Sequence, residues 1–166
     1  MSNGRILVAD IENVSILKFV GDVRVIMGAA LENYFATLYQ KSILDKVIVD
    51  MTETEGIDST ALGLLAKMAI QLRNRFNVSP TVISTNTDIT RILKSMSFDL
   101  ICNIVEESAR KAIDFDELNQ LDEPDELVRK KVIDAHQTLM ALSEDNRIEF
   151  QDLVSAIFYR CNDSRC

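Results

Sequence analysis

Short runs rich in β-branched residues alternate with segments of helical periodicity, and this alternation constrains the fold more than any other feature of the chain. Residues 5–9 (RILVA) and 14–20 (VSILKFV) read as two strands joined by the polar turn DIEN. Gly21-Asp22 closes the second. Over 23–40, apolar residues recur at Val23, Ile26, Met27, Ala30, Leu31, Tyr34, Phe35 and Leu38. That spacing predicts an amphipathic helix, with Asp22 placed as its N-cap. Lys46–Met51 (KVIVDM) is nearly continuous in apolar residues, as in a strand buried on both faces, and TETEG follows as a loop. A second helix is expected over 59–76, a strand over 81–84 and a third helix over 88–96, capped by Thr87 or Asp88. A last strand over 100–105 and a fourth helix over 108–118 complete the series. The order predicts an α/β fold: a mixed sheet with crossover helices, its antiparallel pair supplied by the opening two strands.

This α/β domain is expected to span residues 1–118. An acidic linker, 119–126 (NQLDEPDE), separates it from a helical hairpin over 127–160. In the hairpin's first helix the apolar positions are Leu127, Val128, Val132, Ile133, Ala135, Leu139, Met140 and Leu142; in the second they are Ile148, Phe150, Leu153, Val154, Ile157 and Phe158. Ser143 stands at the joint, with Glu144 and Asp145 in the next first turn, where negative charge suits the helix dipole. The stripe must be buried on the α/β domain, on a second copy or on a partner.

Composition narrows the function. The 166 residues carry a formal net charge of −8, which opposes nonspecific nucleic-acid binding and adsorption to an anionic membrane. No apolar run approaches the length that spans a bilayer, and the start MSNGRILVAD lacks a signal peptide's long apolar core, so a cytoplasmic protein is expected. Cys102, Cys161 and Cys166 make no metal-like cluster and read as reduced thiols. There is no P-loop, no G-x-G-x-x-G and no G-x-S-x-G elbow. The single histidine, His136, lies in the hairpin and reads as a packed, non-catalytic residue. Proximity to Ser59 would be the geometric sign of a serine nucleophile with its base. The acidic residues of 114–126 lack calcium-loop spacing and read as solvated linker. No cofactor or metal is expected, and no enzymatic activity.

One stretch stands out: GIDSTALGLLAKMAIQL, residues 56–72. A helix starting at Ser59 or Thr60 leaves its first N–H groups without helical partners, and Asp58 or Ser59 can accept from them. A hydroxyl at such a start is also suited to carry a phosphate, which would meet the positive end of the helix dipole and repel the Asp58 carboxylate.

Ile57–Leu65, IDSTALGLL, resembles the signature of the STAS domain family of bacterial anti-sigma factor antagonists: hydrophobic-D-S-[ST]-G-L-G-hydrophobic. Asp58, Ser59, Thr60, Leu62 and Gly63 match it; Ala61 stands where the family usually has Gly. VIVDMTETEGIDST is similar to the family's buried strand, loop and helix start, and Gly21-Asp22 to the pair that follows its second strand. TVISTNTDITRILKSMSFD resembles the strand, Asn-containing turn and helix beyond the switch helix, with Ser97-Phe98 in place of Gly-Leu. The resemblance covers residues 5 to about 113 and leaves the hairpin outside. It implies a phosphorylation site at Ser59, with Thr60 as the alternative acceptor, and a docking face of Asp22, Asp58, Ser59, Thr60, Leu62, Gly63 and Asn86. It also implies partners: an anti-sigma factor that is often itself a serine kinase, and a PP2C-type serine phosphatase. In that scheme the unphosphorylated protein binds the anti-sigma factor and phosphorylation ends the binding. The hairpin stripe leaves a homo-oligomer and a non-switching scaffold open.

Overall fold

The structure is a computed structural model describing residues 3–107 and 112–163, with side chains described to residue 159. Strands β1 (Arg5–Ile11) and β2 (Val14–Val23) form an antiparallel pair around a turn in which Glu12 adopts φ 54°. Helix α1 (Gly28–Tyr39) carries the chain to β3 (Lys46–Ile57), parallel to β2. Helix α2 (Ser59–Phe76) leads to β4 (Thr81–Ile83), and α3 (Thr87–Ser95) to β5 (Asn103–Val105), each again parallel to its predecessor. A short β6 (Asp116–Glu117) returns antiparallel to β1, giving the order β5-β4-β3-β2-β1-β6. The mixed sheet with crossover helices is therefore present. So is the C-terminal helical pair, α4 (Asp125–Leu142) and α5 (Glu144–Asp163).

Register lines up one apolar row across five strands: Val8, Leu17, Val49, Val82 and Ile104. This face enters the single core that also takes Leu31, Phe35 and Leu38 of α1, Leu62, Leu65 and Leu72 of α2, and Ile89 and Leu93 of α3. In β3, Val47, Val49 and Met51 are buried while Ile48 and Asp50 between them are only half-buried. The expectation of a strand buried on both faces is thus corrected to one buried face.

Other expectations change for local reasons. TETEG is not a loop: β3 continues through it to Ile57, held by pairing of Gly21 with Thr54 and Val23 with Ile57. The register slips just after Gly21, whose φ of 74° only glycine adopts freely. Asp22 caps no helix. It belongs to β2, and a single 3-10 turn (Val25–Met27) intervenes before α1, leaving Ile26 exposed rather than on a buried stripe. Asn86, not Thr87 or Asp88, caps α3, its side chain accepting from the Asp88 N–H at 2.9 Å. The strand expected over 100–105 shortens to β5 behind a 3-10 turn at Phe98–Leu100. Of the fourth helix expected over 108–118, residues 108–111 lie outside the described residues. The rest forms no helix: Asp116–Glu117 is a strand, Ile113 and Phe115 are half-buried and Asp114 and Asp116 exposed.

The hairpin folds back on the α/β layer, along α2. Ala135, Leu139, Phe150 and Val154 are buried. Its turn is fixed by Ser143, whose hydroxyl accepts from the Asn146 N–H at 3.2 Å and from the Ser97 hydroxyl at 2.8 Å. Buried Asn146 donates at 2.8 Å to the carbonyls of Met96 and of Leu139, joining the hairpin to the end of α3.

Candidate functional site

Asp58 organises the start of α2. Its Oδ1 accepts from the Ala61 N–H at 2.8 Å, satisfying one of the free donors of the first turn. Its Oδ2 accepts from the Val25 N–H at 2.6 Å, and its own N–H donates to the Val23 carbonyl at 3.1 Å. One residue thus caps α2 and ties it to the end of β2. Of the two caps the sequence allowed, Asp58 is the one used, so the Ser59 hydroxyl has no capping duty.

Ser59 Oγ instead lies 2.7 Å from Nε2 of His136, on α4. The other ring nitrogen, Nδ1, lies 2.6 Å from the Val132 carbonyl. A carbonyl only accepts, so Nδ1 carries a proton; in the neutral ring Nε2 is then the acceptor and Ser59 the donor. Phe150 of α5 backs the imidazole edge-on, ring centroids 5.0 Å apart. His136 is 2% exposed, far more enclosed than the half-buried Ser59.

Chain sequence placed His136 remote from Ser59; the fold places them in contact. A serine beside a histidine nitrogen is the geometry of a nucleophile with its base. Here the ring's second nitrogen meets a backbone carbonyl instead of a carboxylate, and the helix that carries it packs across α2.

That helix crosses α2 at Gly63. A Cβ built on Gly63 would stand 2.3 Å from the Ala135 carbonyl oxygen and 2.6 Å from the Ala135 Cβ, so only glycine permits this approach. Farther along, Lys67 Nζ pairs with Asp134 at 2.5 Å. At the opposite side, buried Lys131 reaches Glu123 at 2.5 Å and Glu32 of α1 at 3.3 Å, its stem against Gly28. Every buried polar side-chain atom among the described residues has a hydrogen-bond partner.

The expected docking residues are therefore divided. Ser59, Thr60, Leu62 and Gly63 share the first turns of α2, with Thr60 and Leu62 buried. Thr60, the alternative acceptor, is 5% exposed and less accessible than Ser59. Asp58 and Asp22 sit at the adjoining strand ends. Asp22 pairs with Arg24 at 2.6 Å, and this hydrogen bond and charge hold the guanidinium above its ordinary pKa, with a smaller contribution from Asp58. Asn86 follows β4, which ends at Ile83, level with Asp50, whereas β3 runs on to Ile57 before Ser59. Exposed Ile26, beside Arg24, was not foreseen as a surface residue. Among the described residues no group of His, Cys, Asp and Glu is arranged to hold a metal ion.

A sheet whose antiparallel opening pair leads into parallel strands, with crossover helices on its buried face and an Asp-Ser start to α2, defines a STAS-type α/β domain. The sequence matches the STAS domain family over residues 5–112, more than half the chain, and the protein belongs to that family. The match ends before β6 and the hairpin. Among solved structures, the fold is similar to a candidate anti-sigma factor antagonist from Thermotoga maritima. The TM-score is 0.53 at 18% identity, over 60% of this chain and 85% of the other. No curated protein matches the sequence. No helix among the described residues is long and apolar enough to cross a membrane.

Proposed function

We propose that the protein is an anti-sigma factor antagonist, a bacterial cytoplasmic switch that acts by binding and not by catalysis. In the unphosphorylated form it sequesters an anti-sigma factor that doubles as its serine kinase. Phosphorylation transfers the γ-phosphoryl group of a nucleoside triphosphate to Ser59 Oγ, with loss of the hydroxyl proton and release of the diphosphate. The added charge, next to Asp58 and near Asp22, opposes docking. A PP2C-type phosphatase hydrolyses the ester and restores the binding form.

The observation that carries this reading is the division of labour at the start of α2: Asp58 takes the cap and leaves the Ser59 hydroxyl free of it. Membership of the STAS family and the likeness to the Thermotoga protein support it. The test is affinity for the anti-sigma factor kinases encoded by the same genome. Ser59→Ala should bind one of them, and Ser59→Asp should bind it at least about tenfold more weakly, a difference of about 1.4 kcal/mol. Equal affinities would overturn the switch.

A second reading has its own observation. α4 already covers the first turns of α2, so the domain can also be read as a scaffold subunit in which Ser59 is a fixed hydrogen-bond donor. A stable assembly containing a Ser59 never modified in cells would favour it.

A further inference from the structure

The STAS match ends at residue 112, and the hairpin beyond it lies on α2. Ser59, Gly63 and Lys67 follow one another at four-residue steps, so they form one ridge of that helix. Helix α4 occupies all three positions: His136 meets the Ser59 hydroxyl, Ala135 abuts Gly63 and Asp134 pairs with Lys67. We propose that the α4–α5 hairpin is a built-in competitor for this ridge, which an anti-sigma factor displaces from the unphosphorylated protein with a helix of α4's own chemistry. The proposal deepens the function above and rests on the start of α2 being its docking face.

The contacts of α4 define what else can sit there. The Ala135 carbonyl leaves no room even for a Cβ on Gly63, so an incoming helix that packs as closely needs a small residue at that crossing. It needs an acidic residue opposite Lys67, as Asp134 is, and a hydrogen-bond acceptor for the Ser59 hydroxyl, as His136 Nε2 is. A phosphate on Ser59 replaces that hydroxyl donor by charged acceptors beside Asp58, so it still ends docking. A kinase likewise reaches Ser59 Oγ only once His136 has left it.

The seat of the hairpin is built to release it. Lys131, His136 and Asn146 are all buried there. Burying charged and polar groups costs desolvation that largely offsets the attraction between them, so an opened hairpin regains hydration for much of what it loses. The tether, residues 118–124, forms no helix or strand and is mostly exposed, so the hairpin can leave α2 without disturbing the sheet. The docking face keeps its shape on opening, because Asp58 and the Val25 N–H are bonded to each other and not to α4.

The test uses the full chain and the anti-sigma factor kinase of the same genome that Ser59→Ala binds, with no nucleoside triphosphate present, so that Ser59 stays unmodified. Hydrogen exchange is followed in the free protein and in the complex. On binding, amides of 127–142 should exchange at least about tenfold faster and those of 59–72 more slowly, while β2 and β3 keep their protection. Asn146→Ala loosens the hairpin through its bonds to Met96 and Leu139 and leaves the ridge untouched. With more of the protein open, it should bind the kinase at least about fivefold more tightly than the unsubstituted chain. Protection of α4 retained in the complex overturns the proposal, since the partner would then dock elsewhere. Equal or weaker binding by Asn146→Ala also overturns it, the hairpin then being a bystander or part of the docking surface. Either result leaves the Ser59 switch standing, whereas a failure of every such kinase to bind any of the proteins sinks the proposed function and this inference together.

Discussion

At the residue scale, Asp58 joins two elements with one carboxylate, and its loss should be felt in both. Asp58→Ala leaves the Ala61 and Val25 N–H groups without their acceptor. We expect a loss of about 1–2 kcal/mol, read as a lowered melting temperature, because N-cap removal alone costs about 1 kcal/mol. Cys102 makes a different prediction. Burial pushes its thiol up to about 12, so the folded protein should leave it unalkylated by iodoacetamide at about pH 8, where an ordinary thiol reacts. Asp58 was legible as a cap because an N-cap is a local contract between a side chain and N–H groups two or three residues on. The Ser59–His136 contact was not legible, because 77 residues separate the pair and no local rule joins them. Asn86 was missed in favour of its neighbours because Asn, Thr and Asp all serve as caps and stand together there.

At the element scale, α2 carried a signal that went unread. Between Ser59 and Gln71 its only charged residue is Lys67, so the helix is apolar nearly all round. Such a helix needs cover on two sides. The sheet supplies one and α4 the other, at the Gly63–Ala135 crossing. Gly63→Ala therefore sets two effects against each other. Alanine improves helix propensity by about 1 kcal/mol, yet its methyl would strike the α4 backbone. The expected outcome is faster amide exchange in the hairpin with the α/β layer still protected. Asn146→Ala should loosen the hairpin from the other end: two carbonyls lose their donor, at a cost of about 1–3 kcal/mol, measurable as easier proteolysis within α5. The fourth helix failed for a readable reason. Ile113 and Phe115 are spaced by two, a strand period, and the chain there runs on into β6 beside β1, where Glu117 pairs with Arg5 at 2.7 Å.

At the scale of the whole molecule, the α/β order, the antiparallel start and the hairpin were all legible, since each rests on periodicity within a segment. The docking of the hairpin was left open between this chain, a copy and a partner, because an apolar stripe states that it must be buried but not against what. In the structure Ala135, Leu139, Phe150 and Val154 are buried within one chain. We accordingly expect a monomer in sedimentation velocity, with self-association appearing in Ala135→Arg when the stripe is released. The account turns on Ser59 as the modified residue, and phosphopeptide mapping of the protein recovered from its own cells, before and after serine-phosphatase treatment, tests that most directly. It predicts a single phosphate on Ser59 that the phosphatase removes; a protein with no phosphate under any growth condition, or with one elsewhere, would contradict it.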